Sequence, residues 1–126
     1  MNAFKVKRID ELTSIHGGAV KLAGDELGVQ SFGLQVLDFP AEFAEYPEHD
    51  HSRDGQEEVY VVLEGSAEFE LAGERVSADA GTMVWVASET RRTLEAGPYG
   101  VRILAIGCTP GRSYQRPDDF RLAVRA

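Results

Sequence analysis

Two histidines, His49 and His51, are separated by one residue in the stretch PEHDHSRDGQEEVYVVLEG, and a glutamate, Glu58, follows seven positions after His51. Side chains two apart on an extended strand project from the same face, so both imidazoles point one way and Asp50 the other. Glu58, Tyr60 and Val62 share one face of the next strand, and Glu58 joins the histidines if the two strands are neighbours. Two imidazoles and one carboxylate, with coordination positions left open, match the facial arrangement used by non-haem iron and also suit zinc or manganese. One divalent metal ion is therefore a candidate cofactor. A small molecule reaching the open positions is the candidate ligand.

The elements that would position these groups are short strands. Glu57–Leu63 (EEVYVVL) is rich in β-branched and aromatic residues, and Glu64-Gly65 after it predicts a tight hairpin. Ala67, Phe69 and Leu71 alternate with Glu68 and Glu70, so one face meets a core and the other meets water. A turn follows at Ala72-Gly73. Glu74–Val76, Thr82–Val86 after Gly81, Arg91–Glu95, a turn at Gly97-Pro98, and Val101–Ile106 continue the series. Upstream, Phe32, Leu34 and Val36 alternate in a half-buried strand closed by Pro40. Two further short strands are expected within Ala19–Val29, where Gly24 and Gly28 interrupt the apolar residues. Lys5–Ser14 is expected to hold a strand edge and a helical turn, and Asp118–Val124 a short terminal helix. Strands at intervals of roughly ten residues with little helical periodicity predict an all-β barrel or sandwich. Phe69, Leu71, Val84 and Leu104 are candidates for its core.

The chain has 126 residues, 43% hydrophobic and 27% charged, which suits one globular domain and excludes a disordered chain. No apolar run is long enough to span a bilayer, and MNAFKVKRIDEL lacks the apolar segment of a signal peptide, so no membrane association and a cytoplasmic location are expected. The single cysteine, Cys108, excludes an intrachain disulfide and agrees with a reducing compartment. The net charge of −8 argues against nucleic acid as a partner. That charge is uneven. Residues 38–70 hold eleven acids against Arg53 alone, while residues 91–126 hold seven arginines against three acids.

The first of these segments resembles the first motif of the cupin superfamily, a Gly, His-x-His, a Glu, and a Gly after six more residues. His49 and His51 fit the histidine pair, Glu58 the glutamate and Gly65 the closing glycine. Phe43 stands where the opening glycine falls, and the gap from His51 to Glu58 is two or three residues longer than usual, an insertion that a turn at Asp54-Gly55 can absorb. Gly81–Ala96 resembles the second motif in spacing only. Ala87 replaces its proline, Glu89 its glycine, Arg92 its histidine and Ala96 its asparagine. The resemblance covers about residues 30–107. It implies a single cupin-type double-stranded β-helix (jelly-roll) barrel over residues 1–126, often dimeric, with its site in the barrel mouth.

Arg92 divides the functional readings, because a guanidinium has no lone pair and cannot coordinate a metal. In one reading the protein is a metal-free binding module, with Arg92 pairing with Glu58 and anchoring a carboxylate or phosphate of a small ligand. In the other it is a metal-dependent enzyme of dioxygenase or isomerase type, with His49, His51 and Glu58 holding the ion. The fold does not choose the reaction. Tyr60, on Glu58's face, is a candidate pocket residue. Trp85 shares a face with Met83 and lines the cavity, a homodimer contact or the core. Cys108 reads as a small packed side chain, His16 as a surface loop residue, and Arg102 as either outward-facing or a second cation near the pocket.

Overall fold

The computed structural model describes residues 3–122. Seven strands form antiparallel pairs: β1 (Ser14–Ile15), β2 (Val20–Lys21), β3 (Gly33–Phe39), β4 (Glu57–Leu71), β5 (Glu74–Asp79), β6 (Met83–Val86) and β7 (Arg92–Cys108). One short helix, α1 (Ala23–Leu27), lies between β2 and β3. The strand order is β1-β2-β3-β7-β4-β5, with β6 paired to the first part of β4. This is the expected all-β jelly-roll barrel.

Its shape comes from β4 and β7, which pair along their length and bend together. Tyr60 and Val62 face the core before the bend, and Ala67 and Phe69 after it, so the buried set passes from even to odd positions. Strict alternation cannot do that without an extra residue. Leu63 is that residue: Val62 pairs with Ile103 and Glu64 with the adjacent Arg102. On β7 the buried set likewise passes from Arg92, Leu94 and Ala96 to Val101, Ile103 and Ala105, with residues 97–100 bulged outward. The Glu64-Gly65 and Gly97-Pro98 signals, expected to be a hairpin and a turn, are therefore bulges inside two long strands. Gly and Pro punctuate either feature, and only the partner strand decides between them. Gly65 has φ +74°, and a Cβ there would lie 2.1 Å from the Gly100 carbonyl oxygen.

The core contains Phe39, Tyr60, Val62, Phe69, Val84, Val86, Leu94 and Ile103, with Leu71 packed on its edge. A second cluster under α1 joins Leu12, Ala23 and Val36, with Leu104 against it. Of the two strands expected in residues 19–29, β2 forms, while residues 23–27 turn into α1. Gly24 is not a turn there. It lets the helix lie on β3, where a Cβ would come within 3.0 Å of the Leu34 carbonyl oxygen. The turn near the start is Ile9–Glu11, and the terminal helix is one 3₁₀ turn, Asp118–Phe120, its expected end at residues 123–124 lying outside the described residues.

Candidate functional site

Glu58 opens β4 on the inward face, directly outside the fully buried Tyr60. Its register partners are Val86 on β6 and Gly107 on β7. Gly107 makes room for it, since a Cβ there would sit 3.1 Å from Glu58 Cγ. His49 is brought alongside by an isolated bridge to the first residue of β7: its amide donates to the Arg92 carbonyl at 3.0 Å, and its carbonyl accepts from the Arg92 amide at 2.8 Å. His51 is fixed by its amide, which donates to the Ser88 carbonyl at 2.7 Å. One ligand atom from each of His49, His51 and Glu58 lies within 4.8 Å of the others, and all three residues are half-buried. The expected triad assembles.

The far nitrogen of each histidine is already occupied. His49 Nδ1 lies 2.9 Å from the Pro47 carbonyl, which can only accept, so Nδ1 carries the proton. His51 Nδ1 lies 3.1 Å from the Asp54 carboxylate, which imposes the same assignment. In its neutral form each ring then has its lone pair on Nε2; when His51 is protonated, its Nε2 instead faces Glu58 Oε1 at 3.5 Å as a donor. Glu58 Oε1 accepts from the Tyr60 hydroxyl at 2.8 Å and from Arg92 Nη1 at 2.9 Å, so both bonds converge on one carboxylate oxygen. Imidazoles anchored through their remote nitrogens are what a metal-ligand shell requires, whereas the anchored Glu58 oxygen is the one that faces His51, 3.5 Å from its Nε2. The donor set fits a divalent ion with three protein ligands.

Arg92 is 1% exposed, and its second terminal nitrogen donates to the Ala87 carbonyl at 2.7 Å. The pair with Glu58 forms as the Arg92 substitution suggested. Both terminal nitrogens are engaged beneath the surface, so neither is exposed to a ligand. Tyr60 is equally enclosed, its hydroxyl meeting Glu58 and, at 3.2 Å, the Tyr46 hydroxyl. Trp85 lies on the opposite face, 62% exposed, with Nε1 donating to Glu57 at 2.7 Å. Its register partner is Val59, not Glu58, which turns it out of the cavity and out of the core. Arg102 is also outward, paired with Asp38 at 2.8 Å and Asp10 at 2.6 Å. Cys108 is half-buried, and His16 is exposed on the wall of a 350 Å³ cavity beside Phe43 and Tyr46.

Charge and hydrogen bonding set the titration of the triad. His51 is raised above its usual 6.5, chiefly by its hydrogen bond to Glu58, with Asp54 adding to it and burial opposing. Burial pushes the Glu58 carboxyl up, but His51, Tyr60 and Arg92 together hold it below its usual 4.5. Burial is also the main reason Tyr46 and Tyr60 are raised, so both remain neutral donors. Asp54 and Tyr46 had no signal in the sequence as site residues. Asp54 reads as turn chemistry, and its three-residue spacing from His51 is the one trace of its role.

No protein-family profile and no curated protein matches the chain. Solved structures do. A cupin protein from Bacteroides fragilis is similar over 100% of both chains, with TM-score 0.72 and 19% identity. KdgF from Halomonas sp. matches 94% of this chain and 98% of its own, with TM-score 0.67 and 15% identity. A sugar phosphate isomerase from a cupin superfamily, from Silicibacter pomeroyi, matches 84% and 77%, with TM-score 0.67 and 17% identity. The fold is that of the cupins.

Proposed function

We propose that this protein is a small-molecule-binding cupin in which His49, His51 and Glu58 hold one divalent metal ion, of iron, zinc or manganese type, with positions open to a ligand. The observation that carries this reading is the anchoring of both Nδ1 atoms on oxygen acceptors, which leaves two Nε2 lone pairs beside Glu58. A bound ion would supply Lewis acidity at the open positions. The chain's own contribution is orientation: Pro47 and Asp54 fix the ring tautomers, and Tyr60 and Arg92 fix the Glu58 carboxylate. Similarity to a sugar phosphate isomerase supports enzymatic use of such a site without choosing a reaction. The test is elemental analysis of the purified protein with calorimetric titration of iron, zinc and manganese into metal-stripped protein. Stoichiometric binding that disappears in His49→Ala and Glu58→Ala is the expected result, and absence of binding rejects it.

A metal-free module is the second reading, favoured by the Arg92–Glu58 pair, which neutralises the carboxylate an ion would need. The burial of Arg92 weighs against its acting as the ligand's anchor. Among the described residues no helix is long and apolar enough to cross a membrane. A cytoplasmic setting, supported by the lone cysteine, and a homodimer formed across the exposed Met83 and Trp85 complete the proposal.

A further inference from the structure

We propose that the cleft between residues 29–31 and 108–116 binds an anionic small molecule, one carrying a phosphate or carboxylate group, through Arg112 and Arg121. The cleft has a volume of about 920 Å³, in the range of small-molecule sites. Among the described residues three arginines and no carboxylate line it, in a chain whose net charge is −8. Such a local reversal of sign concentrates anions that the rest of the surface repels.

The three arginines have different tasks. Arg116 is structural: Nη1 pairs with the buried Asp25 at 3.2 Å, and Nη2 donates to the Val29 carbonyl, tying the tail to the end of α1. Arg112 is exposed, and its side chain has no hydrogen bond or ion pair among the described residues. Arg121 is exposed and holds only Asp118 at 3.4 Å and the Arg116 carbonyl at 3.3 Å. Arg112 thus offers a whole guanidinium fork and Arg121 its remaining Nη1, both in the lining of the cleft, and these donors suit carboxylate and phosphate oxygens. The Tyr114 ring, 5.9 Å from the Arg116 guanidinium, belongs to the same lining, as do the exposed hydroxyls of Ser31 and Ser113. Here, and not at the buried Arg92, the chain presents positive charge to a ligand. The cleft also adjoins the triad's support, because the Thr109 hydroxyl donates to the Asp54 carbonyl at 2.7 Å.

The experiment is calorimetric titration of inorganic pyrophosphate and of citrate into metal-stripped protein at low salt, the two probes separating phosphate from carboxylate recognition. Saturable one-to-one binding of at least one probe is expected. Arg112→Gln should weaken it about tenfold or more, Arg121→Gln should weaken it similarly, and added salt should weaken it further. Arg75→Gln, which removes an exposed charge on β5, should leave it unchanged, as should His51→Ala. No saturable binding of either probe overturns the proposal. Equal weakening by Arg75→Gln also does, since that would report net charge alone, and loss in His51→Ala would move the anion to the triad. Because the protein is metal-free throughout, failure here is separate from failure of the metal site.

Discussion

Arg92 Nη1 lies 2.9 Å from Glu58 Oε1, with the arginine 1% exposed and 34 residues away in sequence. A buried guanidinium must be paired, because an uncompensated charge in the interior costs several kcal/mol. Glu58 supplies the countercharge and the Ala87 carbonyl a second acceptor. The same carboxylate is the only anionic member of the His49, His51 and Glu58 group. One residue therefore balances Arg92 and is asked to bind a cation.

Replacing Arg92 with His should strengthen divalent metal binding by about tenfold or more. It removes a fixed positive charge next to the ligands and restores a lone pair at that position. Adding Glu58→Ala should abolish the gain. Calorimetry on metal-stripped proteins reads both, and equal affinities in parent and Arg92→His would reject the placement of Arg92's charge at the site.

Truncating Arg92 to Ala should destabilise the fold by about 3–5 kcal/mol, through the cavity and through the Glu58 carboxylate left without its partner. Pairing Arg92→Met with Glu58→Leu should recover a large part of that loss, since no buried charge remains. Urea unfolding midpoints of the two variants measure it, and a double variant no more stable than Arg92→Ala would contradict the charge-pairing account.

In metal-free protein, His51 and Glu58 should give opposite pH dependences. The folded pKa of His51 is raised, so its contribution to stability is complete below 6.5 and lost as pH rises through the folded value. Glu58 is lowered, so its contribution is complete above 4.5 and lost as pH falls through its folded value. The His51 ring protons in an NMR titration should show a midpoint above 6.5, returning toward it in Glu58→Gln. A midpoint unmoved by that substitution would remove Glu58 as the cause.

Gly65→Ala should cost more than about 3 kcal/mol or prevent folding. The position combines φ +74° with a 2.1 Å approach of any Cβ to the Gly100 carbonyl. Gly73→Ala, which also has positive φ but nothing within 4 Å, should cost less. Thermal unfolding of the two variants compares them directly, and similar losses would mean that backbone conformation alone matters.

Light scattering at micromolar concentration should give a mass about twice 13.8 kDa if two chains pair across Met83 and Trp85. Trp85→Lys should return it to one chain. A monomeric parent rejects the dimer.

The spacing of His49, His51 and Glu58, with Gly65 beyond, carried the resemblance to cupins and the triad, although only Glu58 and Gly65 lie on a strand: His49 is held by an isolated bridge to Arg92 and His51 by its amide bond to the Ser88 carbonyl. Periodicity also located the core positions Phe69 and Val84. The bends did not follow, since Glu64-Gly65 and Gly97-Pro98 are compatible with turns or bulges, and only the pairing of β4 with β7 selects bulges. Nor did the depth of Arg92 or the outward face of Trp85. Spacing names the neighbours along a strand, whereas burial depends on the second strand that covers them, and that is decided only when Glu58, set between Val86 and Gly107, and the Ala87 carbonyl close on one arginine.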